Sequence, residues 1–322
     1  MREKTTIVIP NYNGMQYLEK CLQALHKKGN NAHILVVDNG SADDSKRYVK
    51  DNFPEAELLE FAENKGFCMA VNAGIKAART PYVLLLNNDT EVKEEFVSNL
   101  EAALERSEKI FSVASKMLVM QQPEIIDGAG DLYCALGWAF ARKKGKKSAS
   151  SMKARKVFAA CGGASIYRKA VFDEIGLFDN HHFAYLEDMD IGYRAQIYGY
   201  ENWYEPKAEV LHAGSGFSGS RYNEFKTKLS SRNSIYIIAK NMPLVQKIIN
   251  LPFLLPGFLI KILFFIRKGM GHTYIKGLLN GITFSMSREG RKQRVPFQAE
   301  HVGNYCRIQL QLWINIIKRV IE

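Results

Sequence analysis

The stretch TTIVIPNYNGMQYLEKCLQALHKKGNNAHILVVD, residues 5–38, decides the fold class of this chain. Its two ends, TTIVIP (5–10) and HILVVD (33–38), are nearly continuous apolar runs of the length of buried strands. Between them, apolar residues recur at helical spacing over residues 15–28. The stretch therefore predicts a strand, a helix and a second strand parallel to the first.

The same alternation continues along the chain. Residues 56–61 and 82–87 predict two more strands, and residues 66–78 and 91–107 predict the helices that follow them. Apolar strands separated by helices are typical of a parallel sheet that is covered on both faces. We expect an α/β fold, with a mostly parallel central sheet and flanking helices.

Composition limits the classes of protein to consider. The chain has 322 residues and 47% hydrophobic residues, enough for one large domain or for a domain with an appendage. Its net charge of +11 favours an anionic partner: a nucleotide phosphate, a nucleic acid or an acidic membrane surface. The five cysteines form no C-x-x-C pair, which fits a reducing cytosol. The apolar run near the N-terminus is too short for a signal peptide.

Polar residues follow each predicted strand, where ligands bind in parallel α/β sheets. These residues are Pro10-Asn11-Tyr12-Asn13, Asp38-Asn39, Glu63-Asn64-Lys65-Gly66 and Asn87-Asn88-Asp89. The chain contains neither G-x-G-x-x-G nor G-x-x-x-x-G-K-[ST], so dinucleotide binding and a P-loop are not supported. The pattern indicates a site for a different polar ligand.

A second polar stretch, LEDMDIGYR (186–194), brings three carboxylates together. One interpretation is a helix start, because acidic residues favour the first turn and Asp190 and Arg194 have the spacing of an i, i+4 pair. The other interpretation is a general base beside a bound cation. The nine residues alone leave both open.

Several stretches, in this order, resemble inverting glycosyltransferases of family 2, which have the nucleotide-sugar-binding GT-A fold. They are IVIPNYNG, LVVDNGSADDS, ENKGFCMAVNAGI, YVLLLNNDTEV, CGGASIYRKAVFDEIGLFD, YLEDMDIGYR, VLHAGSGFSG and RNSIYIIAKNMP. The resemblance covers about residues 5–243 and is nearest to the rhamnosyltransferase-like branch, which builds bacterial surface polysaccharides. It implies a GT-A glycosyltransferase domain over residues 1–243.

The resemblance also implies roles for particular residues. Asp188 would be the catalytic base, with support from Glu187. Asp89 and His212 would hold Mg²⁺ or Mn²⁺, although the sequence Asn87-Asn88-Asp89 has one acid where the family has a D-x-D-like motif. The implied nucleotide-binding residues are Pro10, Tyr12, Asn13, Asp38, Asn64, Gly66, Asn72, Asn88 and Arg232. A purely structural His212 and a surface Arg232 remain alternatives.

The implied activity is transfer of a single sugar, with inversion, from a nucleoside-diphosphate sugar to a hydroxyl of a glycan or polyprenyl-diphosphate-linked acceptor. dTDP-rhamnose is the first expected donor, and UDP-sugars come next. The Q-x-x-R-W motif of processive members is not evident. A non-catalytic sugar-nucleotide-binding assembly subunit and a basic nucleic-acid-binding protein are the alternatives, but no nucleic-acid-binding motif is recognisable.

Two segments have a different composition. Residues 140–156 are basic and rich in serine, and we expect a mobile loop there. Residues 244–322 combine apolar and basic stretches, which is typical of helices lying in an anionic membrane interface. We expect a cytoplasmic protein that is peripheral at the inner face of the plasma membrane, with a tail removable without unfolding the donor site. A helical cap on the core or a homo-oligomer contact is the alternative for this tail.

Overall fold

The computed structural model describes residues 3–28, 32–214 and 222–321. Its first part alternates strands and helices as predicted: β1 (Thr5–Asn11), α1 (Met15–Lys27), β2 (His33–Asp38), α2 (Ser45–Asn52), β3 (Glu57–Glu60), α3 (Phe67–Ala77) and β4 (Tyr82–Leu86). Strand β1 lies between β2 and β4, β3 lies outside β2, and all these pairs are parallel. The α/β fold class predicted from the sequence is confirmed.

The middle of the chain adds antiparallel pairs and makes the sheet mixed. It contains β5 (Thr90–Val92), α4 (Phe96–Leu104), β6 (Ile110–Val119), β7 (Gln122–Gly128), β8 (Asp131–Cys134), β9 (Trp138–Ala141), β10 (Arg155–Val157), β11 (Ala164–Arg168), α5 (Val171–Ile175), α6 (Glu187–Ile197) and β12 (Glu201–His212). The main strand order is β10-β12-β6-β11-β4-β1-β2-β3, with β5 on β12 and β7 on β6. Strands β8 and β9 form a separate hairpin.

Two expectations about this region are wrong. The helix predicted over residues 91–107 is confined to α4, because β5 pairs with the end of β12 instead and Glu95 adopts a left-handed φ of 56°. The basic segment 140–156 is not one open loop. It includes the end of β9, a short 3₁₀ turn and the start of β10, and its backbone bonds to β7 through Lys146.

The C-terminal part is helical, as expected. It comprises α7 (Glu224–Asn241), α8 (Leu244–Arg267), α9 (Gly271–Met286), α10 (Arg288–Lys292) and α11 (Val302–Ile321). Helix α8 continues through Pro252 and Pro256. Among the residues that the structure describes, α8 is the one helix long and apolar enough to cross a membrane, judged by length and composition.

One hydrophobic cluster joins this helical part to the rest of the protein. Tyr133 of the β8–β9 hairpin and Tyr193 of α6 pack in it together with Ile308 and Leu312 of α11. Their side chains are essentially inaccessible to solvent. Helix α11 therefore completes the core that holds α6 in place.

Candidate active site

A cavity of about 610 Å³ opens beyond the carboxyl ends of β1 and β4. Its position is the one that parallel α/β sheets use for ligands. Many of the residues proposed from the sequence line it together: Pro10, Tyr12, Asn64, Gly66, Asn88, Asp89, Glu187, Asp188 and His212. The glycine pair Gly162-Gly163 also borders this space, where a side chain would narrow it.

Asp38 is buried behind the cavity instead of lining it. Its Oδ2 accepts a hydrogen bond of 3.0 Å from Nδ2 of Asn11, and its Oδ1 accepts one of 2.9 Å from the backbone of Ser41. Asn11 in turn accepts a hydrogen bond of 2.7 Å from Nδ2 of Asn88. Asp38 thus orients the polar side chains at the strand ends, and its contact with a nucleotide stays a prediction.

Asn13, Asn72 and Arg232 also lie outside the cavity lining. Oδ1 of Asn13 accepts a hydrogen bond from the loop after β2, and Nδ2 of Asn72 donates a hydrogen bond of 2.7 Å to the carbonyl of Phe178. Arg232 donates a hydrogen bond of 2.6 Å to the carbonyl of His181. Their hydrogen bonds hold loops around the site, and the nucleotide contacts expected of these three residues stay predictions.

Asp89 and His212 form a pair that fits a divalent cation. The pairing of β5 with β12 sets Thr90 opposite His212, which brings Asp89 close to the imidazole. Nε2 of His212 lies 3.5 Å from Oδ1 of Asp89, and that buried oxygen accepts no hydrogen bond from the described residues. A carboxylate oxygen and an imidazole nitrogen facing each other are suitable ligands for Mn²⁺ and, through the oxygen, for Mg²⁺.

Asp127, at the end of β7, completes this arrangement. Its Oδ2 lies 2.7 Å from Nδ1 of His212, which leaves Nε2 for the side of Asp89. Carboxylates commonly orient metal-binding histidines in this way. Burial lowers the pKa of His212, but the hydrogen bond to Asp127 and the charge of Asp89 outweigh it and raise that pKa to about 9. Nothing in the sequence around Asp127 distinguishes it, so this residue becomes a candidate only in the folded structure.

Two lysines bring positive charge to the same part of the cavity. Lys144 lies 2.5 Å from Asp127, and Lys226 of α7 also lines the cavity, within electrostatic range of Asp89. Both ammonium groups are suited to binding a diphosphate. Lys144 belongs to the basic segment that was expected to be a mobile loop.

The backbone before α6 is strained. Phe183, Tyr185 and Leu186 have positive φ angles of 62°, 69° and 68°. For side chains of this size, each such angle costs about 1–3 kcal/mol in free energy, so it occurs only where the surroundings impose it. Asn233 of α7 imposes them here, since its Nδ2 lies within 3.0 Å of three loop carbonyls, including that of Tyr185. The loop thereby presents Glu187 and Asp188 to the cavity.

A third acid, Asp131 at the start of β8, meets Asp188. Their carboxyl oxygens and Sγ of Cys161 lie within 4.8 Å of one another, and the two carboxyl groups are in hydrogen-bonding reach. Burial and the charge of Asp188 raise the pKa of Asp131 well above its ordinary value. Burial also raises the pKa of Asp188, to about 6, against hydrogen bonds that favour its charged form. The pair therefore holds a proton on Asp131 where Asp188 is ionised.

Glu187 is buried, and its Oε2 has no hydrogen-bond partner among the described residues. Burial and the neighbouring Asp188 raise the pKa of Glu187 to about 8. A carboxyl group that is protonated at neutral pH can donate a hydrogen bond to a ligand hydroxyl. Its environment differs from that of Asp188, which agrees with different roles for the two acids.

Asp190 has a structural role in the core. The expected ion pair with Arg194 is present at 2.9 Å. Asp190 also accepts a hydrogen bond of 2.9 Å from Lys240 and one of 2.8 Å from Asn241. It lies inside the first turn of α6 and does not cap it. Because Lys240 bonds both Asp190 and Asp179, an ammonium group already neutralises this buried acidic cluster.

Comparison with known proteins identifies the family of this chain. Residues 6–176 match the sequence model described as Glycosyl transferase family 2. The chain belongs to this family. An N-acetylglucosaminyl-diphospho-decaprenol L-rhamnosyltransferase of Mycobacterium tuberculosis is 26% identical over 240 residues, covering 66% of this chain and 76% of that protein. A poly-beta-1,6-N-acetyl-D-glucosamine synthase of Staphylococcus aureus is 24% identical over 64% of this chain, but only 49% of the synthase is covered.

Solved structures of GT-A glycosyltransferases share the fold. S. aureus TarS 1-349 in complex with UDP-GlcNAc has a TM-score of 0.57 at 16% identity, covering 95% of this chain and 90% of that one. The mannosyltransferase PcManGT from Pyrobaculum calidifontis, in complex with GDP-Man and Mn²⁺, has a TM-score of 0.56 at 15% identity. The match covers 96% of this chain and 88% of that one. The GT-A fold predicted from the sequence is confirmed.

Proposed function

We propose that this family 2 glycosyltransferase moves a single sugar, with inversion, from a nucleoside-diphosphate sugar to a hydroxyl of a lipid-linked glycan in surface polysaccharide synthesis. The observation that carries the proposal is one cavity that contains both Asp188, paired with Asp131, and the Asp89–His212 pair. dTDP-rhamnose is the first donor to test and UDP-sugars the next, because the mycobacterial relative is named as a rhamnosyltransferase and TarS binds UDP-GlcNAc.

In the proposed reaction, Asp188 removes the proton from an acceptor hydroxyl. The acceptor oxygen forms a bond to the anomeric carbon from the face opposite the diphosphate. The carbon–oxygen bond to the diphosphate breaks, and the nucleoside diphosphate leaves with that electron pair. The Asp131 carboxyl group donates a hydrogen bond to Asp188 and keeps it ionised, and Glu187 orients the acceptor hydroxyl. General-base help of this kind contributes roughly 100-fold to 10,000-fold.

The leaving diphosphate must be neutralised. Asp89 and His212 would hold Mg²⁺ or Mn²⁺, with Asp127 orienting the imidazole, and the bound ion would supply positive charge to the departing phosphates. Lys144 and Lys226 would share this role from the cavity wall.

We propose in addition that residues 1–243 form the catalytic part and that the helices of residues 244–322 rest on the cytoplasmic face of the membrane. Support comes from α8 and α11, whose exposed side chains include Leu255, Leu259, Ile317 and Val320. Basic residues such as Arg267 border this face. Apolar burial combined with attraction to anionic lipid gives interfacial binding. A lipid-linked acceptor makes such a position useful.

The direct test is a donor screen with the full-length protein. Release of nucleoside diphosphate is measured for dTDP-rhamnose, UDP-GlcNAc and GDP-mannose, with Mn²⁺ and with chelator, and NMR assigns the anomeric configuration of the transferred sugar. Inverted product and loss of turnover in chelator are the expected results. Donor binding without turnover toward any lipid-linked acceptor would instead indicate a non-catalytic sugar-nucleotide-binding subunit.

A further inference from the structure

Among the described residues, two cations of the C-terminal helices lie within electrostatic range of each other and have no acidic partner. Nζ of Lys261, on α8, lies 5.6 Å from the centre of the Trp138 ring, and Cζ of Arg319, on α11, lies 5.3 Å from the centre of the Phe140 ring. Both rings belong to β9. Within residues 3–28, 32–214 and 222–321, neither cation forms a hydrogen bond or an ion pair.

This arrangement is electrostatically incomplete. Lys261 is half-buried, and burial together with the repulsion from Arg319 lowers its pKa to about 8. Two neighbouring positive charges, one of them partly removed from water, repel each other, and the ring faces compensate only in part. An anion that contacts both would offset the repulsion.

The location of the pair relates it to the catalytic cavity. Phe140 and Ala141 of β9 line that cavity, and Ala141 is paired with Asp131 across the hairpin. The strand advances about 10 Å from Trp138 to Ala141. An anion at the start of β9 would therefore lie at a distance from the Asp131–Asp188 pair that a sugar linked to a diphosphate can span.

The hairpin that spans this distance is fixed to both helices that carry the cations. Nε1 of Trp138 donates a hydrogen bond of 3.0 Å to the carbonyl of Gly257 on α8. Nδ2 of Asn315 on α11 donates one of 2.9 Å to the carbonyl of Tyr133. Gly257 is required here, because a Cβ atom would lie 2.4 Å from the carbonyl oxygen of Leu136. The relation between the cations and the acid pair is thus built into the fold.

We propose that Lys261 and Arg319 bind the diphosphate of a lipid-linked acceptor, so that β9 leads its sugar to Asp188. The inference rests on the proposed function and names its acceptor subsite. A lipid-linked diphosphate is favoured over a free one because exposed apolar side chains accompany both cations, Leu259 and Leu263 on α8 and Val320 and Ile321 on α11. The prenyl chain would lie along these side chains, and the diphosphate would lie between the cations.

Binding of farnesyl diphosphate tests this site without depending on turnover. The full-length protein is saturated with UDP, which occupies the donor site, and tryptophan fluorescence follows titration with farnesyl diphosphate or with farnesol. In K261Q/R319Q we expect the affinity for farnesyl diphosphate to fall roughly tenfold to a hundredfold, as for loss of charged hydrogen bonds. Farnesol binding should not change. The control R288Q/K292Q removes two exposed cations from α10 and should retain wild-type affinity.

Turnover assays then distinguish binding of the acceptor diphosphate from binding of membrane lipid. K261Q/R319Q should raise KM for a polyprenyl-diphosphate-linked sugar by a similar factor, and leave unchanged both donor hydrolysis and transfer to a sugar on a neutral alkyl chain. The proposal would be overturned if K261Q/R319Q lost transfer equally with both acceptors, or if the control variant lost as much affinity for farnesyl diphosphate. It would also be overturned if K261Q/R319Q lost only binding to phosphatidylglycerol vesicles. The last result would assign the cations to phospholipid headgroups. If the wild type hydrolyses donor but uses no diphosphate-linked acceptor, the proposed function fails first and this subsite with it.

Discussion

Nδ1 of His212 lies 2.7 Å from Oδ2 of Asp127, so a carboxylate on β7 determines which nitrogen a histidine on β12 presents to Asp89. The three residues come from distant parts of the chain, and the pairing of β12 with β5 and with β6 brings them together. Asp127 belongs to the proposed cation site although it does not face Asp89 itself.

Replacing Asp127 by alanine should weaken Mn²⁺ binding about tenfold to a hundredfold, since an unsupported imidazole is less basic and less well oriented. The measurement is the Mn²⁺ dependence of donor hydrolysis, with Mn²⁺ calorimetry in the presence of UDP. Asp44→Ala, at an exposed acid outside the cavity, serves as the control. An unchanged Mn²⁺ requirement in Asp127→Ala would remove Asp127 from the site.

Asp188→Asn should lower kcat by roughly 100-fold to 10,000-fold while donor affinity stays within a few-fold. The substitution preserves shape and removes the basic carboxylate. Single-turnover transfer and UDP binding measure the two effects separately. Asp173→Asn, on the exposed side of α5, should behave as the wild type. Near-normal turnover in Asp188→Asn would assign the base elsewhere.

The pH dependence of kcat/KM should report the Asp131–Asp188 pair. Because the base must be ionised, activity should rise with pH through about 6, the pKa of Asp188. Asp131→Ala removes a hydrogen bond that favours ionised Asp188, so its acid limb should move to higher pH. Asp131→Asn keeps a donor and should restore a limb near that of the wild type. A purely structural role would lower activity without this difference between the two variants.

Asn233→Ala should destabilise the loop before α6, since three carbonyls lose their donor while the positive φ angles remain. We expect a loss of about 1–3 kcal/mol in the free energy of unfolding, with reduced kcat. Urea denaturation and transfer assays measure both. Asn99→Ala is a suitable control, because Asn99 makes one exposed hydrogen bond to a backbone carbonyl. Wild-type values in Asn233→Ala would mean that packing alone holds the loop.

Leu255→Gln combined with Leu259→Gln should weaken binding to anionic vesicles, by about tenfold for each side chain fully removed from lipid. Both are exposed, at 63% and 56%. High salt should release part of the wild-type protein and detergent the remainder, because ions screen only the electrostatic part. Met152→Gln, at an exposed residue far along the chain from the tail, is the control. A protein that remains soluble without salt or detergent would leave α8 as a contact between subunits.

The parallel half of the sheet and the polar residues at its strand ends are predictable from the sequence, since buried strands and amphipathic helices leave regular patterns. The places of Asp127, Asp131 and Lys144 are not, because these residues lie among short antiparallel strands without such a pattern. The hydrogen bonds that Asp38 and Asn72 form inside the protein are not predictable from the sequence either. A sequence shows that a side chain can form hydrogen bonds, but not that other parts of the protein already use them.

The tail illustrates a related limit. A composition change near residue 243 suggested a removable segment, yet Ile308 and Leu312 are inaccessible to solvent in a cluster with Tyr193 of α6. Deleting residues 244–322 would expose that cluster, so the surface substitutions above are the better test of membrane binding.

Helix α11 also links parts of the protein that are distant in sequence. Ile308 and Leu312 of α11 pack in the same cluster as Tyr193 and Ile197 of α6. The clusters around the parallel strands β1, β2 and β4 contain no residue of α11. Loosening of α11 would therefore disturb the helix that carries Glu187 and Asp188 before it disturbs the parallel strands.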